Sequence, residues 1–255
     1  MHKFNSDSVE IAFDDVGRGE PILLIHGFAS NGRVNWVDTG WVKTLMDAGY
    51  RVVTIDNRGH GESEKLYNPD LYSAPDMAED ARRLLDHLAI ERAHVMGYSM
   101  GARIAAFLAI NHGSRVGALI FGGLASRMIT GVGGGAEIAR GLEASSLLDV
   151  TDITARAFRV FAEQTRGDLK ALAACIKSSR VKITEEMLAT IKAPVLVVAG
   201  EKDDVSGAIG PLVAAIPGAT GVTLPHRNHM NAVGDKQFKA SALTFLKAHL
   251  LDIDN

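Results

Sequence analysis

Short apolar runs rich in β-branched residues recur along the chain at residues 22–25, 51–55, 93–96, 116–121 and 194–199, with a further run at 221–224. The first five are apolar nearly throughout rather than alternating with polar positions, as expected of strands buried on both faces of a parallel sheet. Between the runs lie expected helices over 42–48, 74–88, 99–111 and 236–250, with one more near 207–216. Strand alternating with helix implies right-handed crossovers and helices on both faces of the sheet. Residues 9–16 read as an antiparallel strand of an edge hairpin. The predicted fold class is α/β, with a mostly parallel central sheet.

The rhythm breaks between residues 126 and 192. There the run Gly131-Val132-Gly133-Gly134-Gly135 is followed by amphipathic stretches with no intervening strand. This segment reads as a helical cap inserted into a core domain made of residues 1–125 and 193–255. The glycine run can serve as a hinge or as a plain flexible loop.

Composition narrows the classes. The 255 residues carry 27 Lys and Arg against 30 Asp and Glu, a net charge of −3, so there is no basic footprint for nucleic acid or an anionic membrane. With 47% hydrophobic and 22% charged residues the chain can bury a core and stay soluble. Cys175 is the only cysteine, which excludes an internal disulfide or thiolate metal cluster and leaves it a packing role. The N-terminal segment has early acidic residues and no apolar signal-peptide core, and no apolar stretch reaches the roughly 18 residues of a membrane span. A cytoplasmic protein without nucleic-acid or membrane partners is expected.

Gly97-Tyr98-Ser99-Met100-Gly101 fits the G-x-S-x-G nucleophile elbow, in which a serine projects from a tight turn between strand and helix. The pattern alone is weak, but an expected strand precedes it and an expected helix follows. A serine hydroxyl is a poor nucleophile at neutral pH and needs a base, which in turn needs an orienting carboxylate. Asp203 directly follows the strand at 194–199, with Asp204 as its alternative. His229 lies in the loop after the run at 221–224, with His226 as its alternative. An oxyanion would need two backbone donors, expected from Met100, just after the serine, and from Phe28 in the turn His26-Gly27-Phe28. His26 reads as a structural hydrogen-bonding residue.

These stretches, together with Asp56-Asn57-Arg58-Gly59-His60-Gly61-Glu62-Ser63, resemble the α/β-hydrolase superfamily over almost the whole chain outside the cap. The Asp56 to Ser63 run is similar to that family's structural loop after its fourth strand, so Asp56, Arg58 and His60 read as scaffolding. Two positions depart from the family pattern. Asn228 replaces a frequent glycine before the histidine and is expected to tolerate positive φ there. Val205-Ser206-Gly207 replaces a frequent proline after the acid, which keeps Asp204 open.

The resemblance implies a serine hydrolase acting on a small or medium carboxylic ester through an acyl-enzyme, with Ser99, His229 and Asp203 as catalytic residues. No metal and no cofactor is expected. Lactone or C–C bond hydrolysis, perhydrolysis, and a slow-turnover ligand receptor are the alternatives on the same scaffold. Trp36, Leu124, Met128, Ile129 and Met230 are the expected apolar contacts for substrate.

Overall fold

The structure, a computed structural model, describes residues 1–178 and 181–251. Residues 179–180 of the expected cap and 252–255 of the expected core lie outside that description. The strands are β1 (His2–Ser6), β2 (Val9–Gly17), β3 (Glu20–Ile25), β4 (Tyr50–Ile55), β5 (Ala93–Tyr98), β6 (Val116–Gly122), β7 (Val195–Gly200) and β8 (Thr220–Leu224). The helices are α1 (Trp41–Asp47), α2 (Ala74–His87), α3 (Met100–Asn111), α4 (Arg127–Thr130), α5 (Gly135–Glu143), α6 (Ile153–Gln164), α7 (Leu169–Lys177), α8 (Glu185–Ala189), α9 (Ile209–Ala215), α10 (His229–Ala232) and α11 (Lys236–Lys247).

All eight strands form one sheet in the order β1-β2-β4-β3-β5-β6-β7-β8. The pairs β1·β2 and β2·β4 are antiparallel and the rest are parallel. The expected edge strand is therefore second from the edge. The outermost strand is β1, which the sequence reading missed: only Phe4 and Ser6 of its five residues are buried, too short an alternation to stand out.

The apolar runs are buried on both sides because successive side chains point to opposite faces. Leu23, Ile25, Val195 and Val197 join α2, α3 and α9 on one face. Ile22, Leu24, Leu196 and Val198 pack on the other against Trp41 and Leu45 of α1 and Phe238 and Leu246 of α11. A third cluster joins Phe28 and Tyr72 to Ile138, Leu142, Ala162, Leu172 and Cys175, so α5, α6 and α7 pack over the loop after β3.

Chain direction then places the site. The chain leaves β3 toward α1 on one face, whereas it leaves the neighbouring β5 into α3 on the other. This topological switch opens a crevice at the carboxyl ends of β3 and β5, where α/β sheets bind ligands.

Candidate active site

Ser99 sits between β5 and α3 at φ +55° and ψ −114°, a conformation that L side chains rarely adopt. The turn closes only because its neighbours are small. A Cβ on Gly101 would stand 1.9 Å from the Ile25 carbonyl oxygen. The Ser99 N–H donates to the Gly122 carbonyl at 2.8 Å, which pins the elbow to the end of β6.

His229 opens α10 beyond β8. Asn228 caps this helix: its side chain accepts from the N–H groups of Met230 and Asn231, and Asn231 reciprocates to the Asn228 N–H. Asn228 has φ −101°, which corrects the expected positive φ. The residue is an N-cap, for which Asn is well suited, and the left-handed position of the loop falls instead on His226 at φ +60°. The His226 side chain is 80% exposed and lies 3.3 Å from Glu201, turned away from Ser99.

Asp203 follows β7 and its side chain is fully buried. Its Oδ1 accepts the Val205 and Ser206 N–H groups, each at 2.9 Å, so this local turn orients the carboxylate. The β7 and β8 loops are drawn together at Gly200, where a Cβ would stand 2.2 Å from the Arg227 carbonyl oxygen. Lys202 N–H donates to that same carbonyl at 2.8 Å.

Three of the residues singled out in sequence meet in series. His229 Nε2 lies 3.0 Å from Ser99 Oγ, and His229 Nδ1 lies 2.9 Å from Asp203 Oδ2 and 3.1 Å from Oδ1. A carboxylate can only accept, so Nδ1 carries the proton and Nε2 is left to accept from the serine hydroxyl. Asp204 is exposed and takes no part in this series, although it lines the adjoining cavity.

Tyr98, which sequence reasoning missed, holds the imidazole from behind. Its hydroxyl donates to the His229 carbonyl at 2.5 Å, and burial pushes its pKa well above the usual phenol value. It occupies the variable position of the G-x-S-x-G pattern, so the motif itself carries no signal for it.

Met100 N–H begins α3, where an amide has no acceptor inside the helix. Among the described residues, neither this N–H nor that of Phe28 has a protein acceptor. The loop bearing Phe28 is held rigidly. His26 Nδ1 donates to the Gly27 carbonyl at 2.7 Å, and its Nε2 accepts from Asn57 N–H at 3.0 Å. Burial pushes His26 down to about 4, so it is neutral at pH 7. Asp56 accepts from Gly32 and Glu62 N–H groups, and Arg58 forms a bidentate pair with Asp80, which joins the β4 loop to α2.

Two chambers open at Ser99. The larger, about 480 Å³, is lined by Met77, Met100, Leu124, Val132 and Ile138, with Arg103, Arg127, Glu137, Asp152 and Asp204 also on its wall. The smaller, about 160 Å³, is bounded by Asn35, Thr39, Tyr98, His229, Met230 and Val233. Phe28, Ser99 and Phe158 border both.

Of the expected substrate contacts, Leu124 lines the larger chamber and Met230 the smaller. Trp36, Met128 and Ile129 line neither, which is a correction. Trp36 is fully buried in the core beneath α1, its ring edge-on to Trp41 at 6.4 Å. Met128 is buried in the core on the opposite face of the sheet and Ile129 packs against it, while Arg127 from that single helical turn lines the cavity instead. Asn35 and Phe158 were missed, since nothing in their local sequence marks a pocket.

Among the described residues, no group of three or more His, Cys, Asp or Glu side chains could hold a metal ion. No described helix is long and apolar enough to cross a membrane.

Sheet order, elbow and loops together define the α/β-hydrolase fold, and comparison with known proteins agrees. A family profile described as the alpha/beta hydrolase fold matches residues 20–132. The chain belongs to the α/β-hydrolase superfamily. It is 37% identical over 108 residues to a non-heme chloroperoxidase of Kitasatospora aureofaciens, covering 42% of this chain and 38% of that one. It is 32% identical over 178 residues to 3-oxoadipate enol-lactonase 1 of Acinetobacter baylyi, covering 63% and 64%. The chain thus spans little more than a third of the first relative's length and just under two thirds of the second's. Among solved structures, a hydrolase from Pseudomonas aeruginosa superposes with a TM-score of 0.78 at 26% identity, covering 96% of this chain and 97% of that one.

Proposed function

We propose that the protein is a serine hydrolase that cleaves a small or medium carboxylic ester, or its internal form, a lactone. The observation that carries this reading is the hydrogen-bonded series Ser99–His229–Asp203, set beside two backbone N–H groups with no acceptor in the protein. Ser99 Oγ attacks the carbonyl carbon as its proton passes to His229 Nε2. The N–H groups of Phe28 and Met100 receive the developing oxyanion, each worth about 3 kcal/mol of transition-state stabilisation.

Collapse of the tetrahedral intermediate breaks the bond to the leaving oxygen, which takes the proton from Nε2. Water, deprotonated by the same nitrogen, then attacks the acyl-serine and releases the acid. Asp203 stabilises the imidazolium and fixes its tautomer. Residues 126–192 act as the cap that shapes the acyl site, through Ile138 and Phe158 in particular. The lactone form is supported by the likeness to the enol-lactonase, whose name describes the same bond type in a ring.

The test is Ser99→Ala, which should abolish turnover and fluorophosphonate labelling while leaving the melting temperature nearly unchanged. Turnover that survives this substitution refutes the assignment. Labelling of the native protein without turnover on any ester or lactone refutes hydrolysis and favours a receptor.

A further inference from the structure

The two chambers are not equivalent with respect to the base. His229 lines the smaller one and not the larger, while Ser99 borders both. In an acyl transfer the leaving oxygen must come within hydrogen-bond reach of the imidazole that protonates it. The departing alcohol therefore belongs in the 160 Å³ chamber and the acyl group in the 480 Å³ chamber, whose lining surface is mostly apolar.

On the wall of the smaller chamber, Asn35 is 5% exposed and is held in the turn before α1. Its Oδ1 accepts the Gly27 N–H at 3.1 Å. That donor fixes which end of the amide is oxygen and leaves Nδ2 as the remaining group. Nδ2 is buried with no acceptor in the protein and has almost no accessible surface, so the amide must tilt toward the chamber to present it. A buried donor left unpaired is costly, and such groups in native proteins call for an explanation.

We infer that Asn35 is a specificity residue for the leaving group, donating from Nδ2 to an ether, carbonyl or carboxylate oxygen on a short alcohol. This deepens the hydrolytic reading and rests on it. The substrate class it names is an ester joining an apolar acyl chain to a small oxygenated alcohol. Because Asn35 also holds the Gly27 N–H, the same side chain that reads the alcohol steadies the loop carrying Phe28.

The test compares 2-methoxyethyl hexanoate with butyl hexanoate, which share an acyl group and differ by one oxygen in place of a methylene. The readout is the ratio of their kcat/KM values in the native protein and in Asn35→Asp. The aspartate keeps an acceptor for Gly27 and loses the donor, so the ratio should fall roughly tenfold, the value of one neutral hydrogen bond. A purely structural role for Asn35 would lower both rates and leave the ratio unchanged.

A second measurement needs no variant. The acyl-enzyme formed from vinyl hexanoate should transfer its acyl group to 2-methoxyethanol several-fold faster than to butan-1-ol. An unchanged ratio, or equal transfer to the two alcohols, overturns the inference while Ser99-dependent hydrolysis stands. Absence of Ser99-dependent turnover on every ester overturns the hydrolytic reading and this inference with it.

Discussion

Replacing Asp203 by asparagine changes one atom and inverts a proton. Oδ1 already accepts two backbone N–H groups, from Val205 and Ser206, so the amide oxygen must take its place. The amide NH₂ then occupies the position of Oδ2, 2.9 Å from His229 Nδ1. Two donors cannot face each other there, so Nδ1 gives up its proton and the imidazole adopts the tautomer with hydrogen on Nε2. That nitrogen now donates toward Ser99 Oγ and no longer accepts from it. The side chain is fully buried, so solvent cannot rescue the arrangement. The expected loss is about four powers of ten in kcat, or about 5 kcal/mol at 1.36 kcal/mol per tenfold. Stability should hardly move, because the hydrogen bond survives with its direction reversed. The assay is hydrolysis of a hexanoate ester at pH 8, with circular dichroism melting as the control. Asp204→Asn should stay within about threefold of wild type, as for most surface changes. Asp203→Asn retaining more than about a tenth of wild-type kcat/KM, or Asp204→Asn proving the more damaging, would refute the reasoning.

Asp80→Ala strands the buried Arg58 guanidinium and removes the acceptor of the Ser6 hydroxyl, and should cost about 3–5 kcal/mol. At 2–4 °C per kcal/mol for a chain of this size, calorimetry should show a Tm lower by about 6–20 °C. An unchanged Tm would mean that the pair contributes nothing. Burial pushes His60 down to about 3, helped by the nearby His26, itself held at about 4. Both histidines are neutral in the folded state but bind protons below about pH 6.5 when unfolded. Their stabilising share is therefore complete above pH 6.5 and is lost as pH falls toward 4, at about 1.4 kcal/mol per pH unit for each. Urea unfolding should show the native protein losing more stability than His60→Leu as pH falls, whatever their difference at pH 7; parallel curves would rule out the linkage.

The sheet was legible because a strand covered on both faces must be apolar at nearly every position, and β3, β4, β5, β6 and β7 all meet that demand. The strand β1 was not legible: its burial rests on two residues and on pairing with β2, information that lies outside its own five positions. Ser99, Asp203 and His229 were readable because the steric needs of the elbow and the chain order of acid and base leave a spaced pattern. The choice of Asp203 over Asp204 follows from a turn that donates two N–H groups to one carboxylate, which the local sequence permits without requiring. The pocket was the least readable part. Trp36, Met128 and Ile129 have the chemistry of a substrate wall, but which way a side chain in a single irregular turn faces is decided by the packing around it. Asn35 shows the same effect from the other side, as a polar residue adjacent to Trp36 that lines the chamber while the indole enters the core.

The closure at Gly200 and Arg227 has a consequence for the order in which the site can assemble. Asp203 and His229 are 26 residues apart and hang from neighbouring strands already in register, Gly200 opposite Leu224. Their contact needs only a small chain loop to close. Ser99 stands 130 residues from His229, and three intervening strand pairings must form before the two can touch. The Asp203–His229 contact is thus local to β7 and β8, and Ser99 is expected to join it last. Recovery of turnover during refolding should accordingly report completion of the whole sheet and lag behind any probe placed on its β7–β8 edge.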